Sequence, residues 1–409
     1  MTAFSPISLP AKSGRNVDVP TIQSFEGLRG ICAALVVLYH FGLVKSNLIA
    51  GSYLFVDVFF VLSGYIMMLN YSERLVDRRA FMDFLGKRVA RLYPLFLFTT
   101  FTFLVATKIV APYLQGLLVE VTPAANAVAV APAHALAPTD DDSALLKLLA
   151  WLTFTSSMGW YDYLYANYPA WSVSTEFWTY VLFAAAIILA RKRLVAVAAG
   201  AIFISFSITL YFSVVRHGCL AHGECLNVTY DAGFLRCVGG FFLGTLSYLL
   251  NTRFRQNGQI AWLKHTDVVL LILMFSVVWF STDIPAVAFA MPGAAAALIT
   301  VLPFQGAASR LLSHKPLLWL GKMSFAIYLG HASILGAFSP LFQSRSLPLP
   351  LKIITLVVTL IPFAVFANRM IEEPARKLIV RLLHNSLHSR APKLAIEPDV
   401  EVADPHPRP

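Results

Sequence analysis

Charged residues are scarce in this 409-residue chain, at 13% of the total, whereas hydrophobic residues make up 57%. This composition excludes an ordinary soluble domain, in which about a quarter of the residues are charged. It indicates a polytopic membrane protein. Topology and anionic lipid headgroups account for the net charge of +10, so nucleic acid is not needed as a partner.

An apolar leader is also lacking, because residues 1–24 are mostly polar and contain no hydrophobic run. We therefore expect no cleavable signal peptide, and we expect the N-terminus to stay inside and insertion to begin at the first span.

Cysteine is rare, and four cysteines are too few for a disulfide framework. Cys219 and Cys225 share one predicted outer loop, where an oxidising compartment permits a disulfide. The same loop contains His217 and His222, which makes a zinc site the alternative. Its spacing matches no common structural zinc pattern, so we expect no bound metal.

Long apolar runs fill the rest of the chain and predict an all-α fold with about ten transmembrane helices. The predicted spans lie near 29–46, 52–71, 93–111, 172–190, 194–214, 232–250, 266–282, 285–303, 321–343 and 350–368. Lys and Arg concentrate in every second connecting loop, which predicts that both termini are cytoplasmic.

Three segments are predicted from this pattern. They are a cytoplasmic N-terminal segment at 1–24, a transmembrane domain at 25–383 and a disordered cytoplasmic tail at 384–409. Within the domain, we expect the Ala/Pro-rich stretch 122–138 to be an irregular outer loop. We expect 143–154 to be interfacial or re-entrant, because it is too short to span.

The first predicted span, "LRGICAALVVLYHF", contains Arg29 at one end and His40 well inside. Eleven residues make almost three full turns of an α-helix, so the two side chains share a face and lie ~16 Å apart along the axis. Both groups are costly in lipid, so we expect them to face protein or a wet cavity.

The second predicted span contains Asp57. If residues 46–52 form a hairpin turn, Asp57 and His40 lie at similar depth, and the carboxylate could orient the imidazole as a general base. Alternatively, Asp57 anchors the outer end of its span and never meets His40. Ser63 is a candidate nucleophile in the same span, although Ser63 and Gly64 are also the small residues expected where helices pack closely.

Six motifs occur in an order typical of one family. They are "FEGLRGICAALVVLYHF", "FVDVFFVLSGYIM", "KRVARLYPLF", "PAWSVSTEFWTYVLF", "LGKMSFAIYLGHASI" and "IEEPARK". From about residue 22 to 380, the chain resembles the membrane acyltransferase-3 family, which includes O-antigen and exopolysaccharide O-acetyltransferases, Nod-factor acetylases and macrolide acyltransferases.

The resemblance implies transfer of an acyl group, usually acetyl from acetyl-CoA, to a hydroxyl of a sugar or another acceptor, often across the inner membrane. The residues that match the family's motifs are Arg29, His40, Asp57, Ser63, Gly64, Tyr65, Arg88, Arg91, Trp171, Ser172 and Glu176. One departure is visible: members often have two adjacent acidic residues where Glu176 is followed by Phe177, which puts a second carboxylate's role in doubt.

Acyl transfer from a thioester needs a base for the acceptor hydroxyl, and His40 is the candidate. Arg88 and Arg91 are three residues apart, so on a helix they point the same way and could bind the donor's phosphates. Arg29 could hold the donor's pyrophosphate or pantetheine arm from below. The alternative for Arg88 and Arg91 is a positive-inside signal alone.

Glu176 and Tyr180 share a helix face, and Trp171 precedes them. An aromatic ring beside a carboxylate suits a sugar acceptor, although an interfacial aromatic belt would also contain Trp. His331 could join this substrate site, or its imidazole could simply bond with a group on a neighbouring helix.

Three functions compete. The first is a multi-pass O-acyltransferase of a bacterial inner membrane, using acyl-CoA as donor with no permanently bound cofactor, and a glycan or other hydroxyl acceptor that could be lipid-linked. The others are a transporter or flippase and a catalytically silent scaffold. The absence of an internal repeat weakens a transporter built from repeated halves.

Overall fold

The computed structural model describes residues 22–121, 144–161, 163–164, 166–344 and 346–388. Within these residues the fold is all helical and contains no strand, as the sequence predicts. The predictions for most of 1–24, for the loop 122–138 and for the tail beyond 388 lie outside the described residues.

The α-helices of the described residues are α1 Gln23–Phe41, α2 Asn47–Ala50, α3 Phe55–Tyr71, α4 Arg78–Val105, α5 Ala111–Val121, α6 Ala144–Leu152, α7 Trp171–Ala190, α8 Leu194–Tyr211, α9 Cys219–His222, α10 Gly233–Gln256, α11 Ile260–Leu263, α12 Asp267–Phe280, α13 Met291–Val301, α14 Ala307–Leu312, α15 Lys315–Ala337, α16 Ser339–Gln343, α17 Leu349–Phe366 and α18 Glu373–His388. Single turns of π-helix extend α4, α8 and α17 at Ala106–Val110, Phe212–Arg216 and Ala367–Glu372.

Seven helical stretches of the described residues are long and apolar enough to cross a membrane, so the chain is a multi-pass membrane protein. Each of the ten predicted spans overlaps a helix, but the count of ten is not confirmed. The stretch Tyr168–Arg216 contains two predicted spans, and α12 is only 14 residues long. The less apolar α15 is not among the seven.

The third span begins earlier than predicted. Helix α4 starts at Arg78 instead of near residue 93, because Asp77 caps it by accepting a hydrogen bond of 2.8 Å from the Ala80 amide. The basic stretch predicted as a loop is therefore helical. Arg88 and Arg91 lie ten and thirteen residues inside the helix, about 15–20 Å from its first residue.

Close helix packing forms the core around the site. A Cβ at Gly64 of α3 would overlap the Phe241 carbonyl of α10, and one at Gly244 would overlap the Val61 carbonyl. Helix α1 lies against α15 in the same way, since a Cβ at Gly321 would overlap the Glu26 carbonyl. The expected packing role of Gly64 is confirmed, and it brings α3 and α10 into backbone contact.

Candidate active site

A cavity of about 360 Å³ lies between α1, α3, α4, α7 and α15. Its lining includes six of the residues selected from the sequence: Arg29, Ser63, Arg88, Arg91, Glu176 and Tyr180. These side chains come from four helices, so only the tertiary fold brings them together. We call this space the central cavity.

Glu176 is the hydrogen-bonding hub of the central cavity. Its Oε1 accepts hydrogen bonds from Ser63 Oγ and from Tyr180 Oη, the latter at 2.5 Å. A serine hydroxyl that donates to a carboxylate has an acceptor for its proton. This contact joins the candidate nucleophile to a residue that the sequence assigned to acceptor binding.

Basic residues also line the central cavity. Arg88 donates to Tyr71 Oη at 3.0 Å, and its guanidinium carbon lies 5.7 Å from the centre of the Tyr180 ring. Arg29 pairs with Glu26 at 3.3 Å. The lining contains four arginines but only two glutamates, so it has an excess of two positive charges and suits a polyanionic ligand.

Arg91 is further balanced by a carboxylate that the sequence analysis missed. Glu372 lies on the π-helical turn after α17, is 7% exposed and acts electrostatically on Arg91. Asn368 donates to Glu372 Oε2 at 3.1 Å and holds it in place. The motif "IEEPARK" could have revealed this residue, because an acidic side chain so close to the end of a predicted span indicates a buried or functional carboxylate.

The two candidate histidines pack against each other beyond the cavity. Their ring centres are 4.9 Å apart, and the Tyr168 ring lies 5.0 Å from that of His40. The Tyr328 ring lines the central cavity and lies 6.1 Å from the His331 ring. Tyr328 therefore stands between the arginine-lined space and the histidine pair.

Each imidazole has its Nδ1 against a backbone carbonyl. The distance is 3.0 Å from His40 to Val36 O and 2.6 Å from His331 to Tyr328 O. A carbonyl can only accept, so Nδ1 bears the proton in a neutral ring and Nε2 retains the lone pair. His331 is fully buried and its Nε2 has no hydrogen-bond partner among the residues that the structure describes, whereas His40 is partly exposed. His40 is thus the accessible base of the two.

The Asp57 carboxylate was expected to orient His40, but in the structure it pairs with Arg236. Both of its oxygens accept hydrogen bonds from Arg236 of α10, at 3.0 and 2.7 Å, and both side chains are buried. Arg236 also donates to the Tyr53 carbonyl at 3.4 Å. The anchoring alternative therefore describes this geometry better, and the missed residue was recognisable as an arginine within an apolar span.

Trp171 lies away from the central cavity. It is 8% exposed, its ring centre is 5.9 Å from that of Phe60, and the Arg236 guanidinium lies 5.8 Å from its ring. The neighbouring Ser172 lines the cavity and donates to Tyr328 Oη at 3.0 Å. The indole thus packs beside the buried ion pair, and little of the ring that was expected to contact a sugar acceptor is exposed.

Cys219 and Cys225 form a disulfide. His217 of the same loop pairs with Asp231 at 2.5 Å. In the part of the chain that the structure describes, no group of three or more His, Cys, Asp or Glu side chains could hold a metal ion.

The chain matches the family described as "Acyltransferase domain" over residues 22–369. It is 24% identical over 372 residues to O-acetyltransferase OatA of Staphylococcus aureus strain NCTC 8325, covering 87% of this chain and 57% of that protein. It is 25% identical over 385 residues to the putative peptidoglycan O-acetyltransferase YrhL of Bacillus subtilis strain 168, covering 87% and 55%.

A shorter match, 36% identical over 93 residues, joins 22% of this chain to 48% of "Protein 2 in picA locus" of Rhizobium radiobacter. The chain spans little more than half the length of the O-acetyltransferases that it matches. No solved structure shows a significant match.

Proposed function

We propose a function for this chain from one premise: it belongs to the membrane acyltransferase-3 family, whose model matches residues 22–369. It is an acyltransferase, and the seven long apolar helical stretches among its described residues make it a multi-pass membrane protein. The proposed reaction moves an acetyl group from acetyl-CoA to a hydroxyl of a cell-surface or exported glycan. One relative named as an O-acetyltransferase supports acetyl as the group, and another named as a putative peptidoglycan O-acetyltransferase supports a glycan as the acceptor.

The observation that carries the proposal is the excess positive charge of the central cavity beside a histidine pair. Arg88 and Arg91 would bind the phosphates of the donor, and Arg29 would contact its pyrophosphate or pantetheine arm. Tyr328 and the histidines lie at the far end. The ~16 Å between Arg29 and His40 along α1 is the distance that the arm would have to cover.

In the proposed step, Nε2 of His40 accepts the proton of the acceptor hydroxyl as its oxygen attacks the thioester carbonyl carbon. A C–O bond forms and the C–S bond breaks, and the imidazolium returns its proton to the departing thiolate. The reaction is balanced without another reactant. His331 lies against His40 and would hold the ring that exchanges the proton.

The acceptor would enter from the side of the disulfide loop. Tyr39, next to His40, donates to Glu224 of that loop at 3.1 Å, and Tyr53 donates to the Cys225 carbonyl at 2.8 Å. The positive-inside pattern predicts that this loop lies outside and that Arg88 and Arg91 lie toward the cytoplasm. We therefore propose the bacterial inner membrane as the location, with both termini cytoplasmic.

Sealed inside-out vesicles test this function and its sidedness. With radiolabelled acetyl-CoA added only outside, the label should appear on a glycan enclosed in the lumen. A His40→Ala variant should insert normally and transfer nothing, whereas Tyr211→Ala, an exposed aromatic on α8, should transfer normally. If acetyl-CoA works only from the lumen, the donor site and the topology are both wrong.

A further inference from the structure

A second cavity, of about 470 Å³, lies next to the disulfide loop and away from the central cavity. Its walls include Trp160, Tyr161, Tyr163, Arg216 and Tyr230. These residues come from three separate parts of the sequence, so the fold brings the aromatic rings and one guanidinium to the same cavity. We call this space the aromatic cavity.

The walls of the aromatic cavity are held by backbone, ionic and aromatic contacts. The centres of the Tyr161 and Tyr163 rings lie 5.7 Å apart, and Lys147 Nζ lies 5.9 Å from the centre of the Tyr163 ring. The Gly159 amide donates to the Tyr230 carbonyl at 2.9 Å, and His217 pairs with Asp231 at 2.5 Å. Arg216 ends the π-helical turn Phe212–Arg216, a type of distortion that is frequent at functional sites. Specific contacts therefore join the separate segments that form the cavity walls.

Asp231 also lines this cavity but is already paired with His217, whereas Arg216 has no such partner among the described residues. Its side chain is exposed and makes no hydrogen bond or ion pair with any residue that the structure describes. Trp160 is 74% exposed beside it. A guanidinium recognises carboxylate or phosphate in a bidentate manner, while Trp and Tyr present large faces with polar edges.

We propose that the aromatic cavity binds an acidic segment of the acceptor glycan, with sugar rings against Trp160 and the tyrosines and a carboxylate on Arg216. This inference rests on the proposed function, because it assigns an extended glycan as the acceptor. Continuity with the reaction site supports it. The disulfide loop, which follows Arg216 in the chain, contacts the residue beside His40, because Glu224 of this loop accepts a hydrogen bond from Tyr39.

Binding is tested with tetragalacturonate on the full chain in phosphatidylcholine nanodiscs, with neutral maltotetraose as comparison. Tetragalacturonate should bind more tightly, and its affinity should fall with added salt. Arg216→Gln should weaken its binding about tenfold or more and leave maltotetraose binding unchanged. Trp160→Ala should weaken both. Matched variants at exposed positions elsewhere, Arg253→Gln and Trp262→Ala, should bind like the parent.

Other outcomes decide against the proposal. If anionic phosphatidylglycerol in the nanodiscs competes with tetragalacturonate and Arg216→Gln relieves that competition, the cavity is a lipid headgroup site. Equal affinity of the parent for both oligosaccharides, or no effect of either substitution, also overturns it.

Kinetics separates this inference from the proposed function. Using an acidic glycan that the parent acetylates, Arg216→Gln should raise the KM for the glycan with little change in kcat. Normal KM in that variant overturns the glycan site while the acyltransferase proposal stands. Absence of any transfer by the parent overturns the proposed function, and the binding measurements still decide whether the cavity takes an acidic glycan.

Discussion

Replacing Arg236 by methionine should destabilise the protein severely. Arg236 and Asp57 are 1% and 0% exposed, and two hydrogen bonds of 3.0 and 2.7 Å join them. Methionine preserves much of the side-chain length but leaves the carboxylate buried without a cation. Breaking a buried pair in this way costs about 3–5 kcal/mol, which lowers the ratio of folded to unfolded protein by about two to four powers of ten.

The assay is thermal unfolding of the detergent-purified protein, followed by tryptophan fluorescence and checked by size-exclusion chromatography. The matched control is Lys87→Met, which breaks a 2.6 Å pair with Asp83 whose members are 36% and 34% exposed and should cost about 1 kcal/mol or less. A double variant, Asp57→Leu with Arg236→Met, should recover much of the lost stability, because it removes both charges.

Two results would refute this reasoning. If Arg236→Met unfolds at the same temperature as Lys87→Met, the buried pair contributes no more than a surface pair. If the double variant is as unstable as Arg236→Met, the uncompensated carboxylate is not the cause. Recovery of both folding and acyl transfer in the double variant would show that Asp57 anchors α3 to α10 and takes no part in the chemistry.

Further predictions concern the reaction itself. His40→Ala should keep the unfolding temperature and lose acyl transfer, measured with radiolabelled acetyl-CoA; more than a few per cent of residual activity rejects His40 as the base. Arg88→Gln with Arg91→Gln should raise the KM for acetyl-CoA and leave the KM for the glycan nearly unchanged, because the substitutions remove charge only from the donor cavity. Glu176→Gln should not raise the KM for acetyl-CoA, because the substitution increases the net positive charge of the central cavity. A lower kcat would show that the contact between Glu176 and Ser63 matters for the reaction. A raised KM for acetyl-CoA would contradict the electrostatic argument.

The sequence predicts much of the fold because the length of an apolar run is a direct requirement of the bilayer. It predicts each helix's existence better than its ends. Helix α4 extends fifteen residues beyond the predicted start of its span, since basic residues lower hydropathy but favour a helix as well as a loop. The symmetric depth of His40 and Asp57 assumed a non-helical turn, yet Asn47–Ala50 and Gly51–Leu54 are both helical.

The partners of the buried polar groups could not be predicted. Asp57 and Arg236 are 179 residues apart in sequence, and Ser63 and Glu176 are 113 apart. In a soluble protein, the apolar face of a helix shows which side packs inward. Lipid is as apolar as the protein core, so hydrophobicity says less about which face of a membrane span packs against other helices. The positions of small and polar residues are the main indication of that face. Arg29 and His40 were recognisable because both lie on one helix, where spacing alone determines their shared face.

The two cavities also suggest why the histidines lie between separate polar spaces. Acetyl-CoA has several phosphate charges and a glycan has many hydroxyls, so moving either through the hydrocarbon region would be very costly. The acetyl group itself is small and uncharged. If the donor's phosphates stay in the arginine-lined central cavity and the glycan approaches past the disulfide loop, only the thioester end of the donor has to pass Tyr328 to bring its acetyl group to the histidine pair. The ~16 Å from Arg29 to His40 is about half the hydrocarbon thickness, so an extended pantetheine arm could cover that half while its phosphates stay at the arginines.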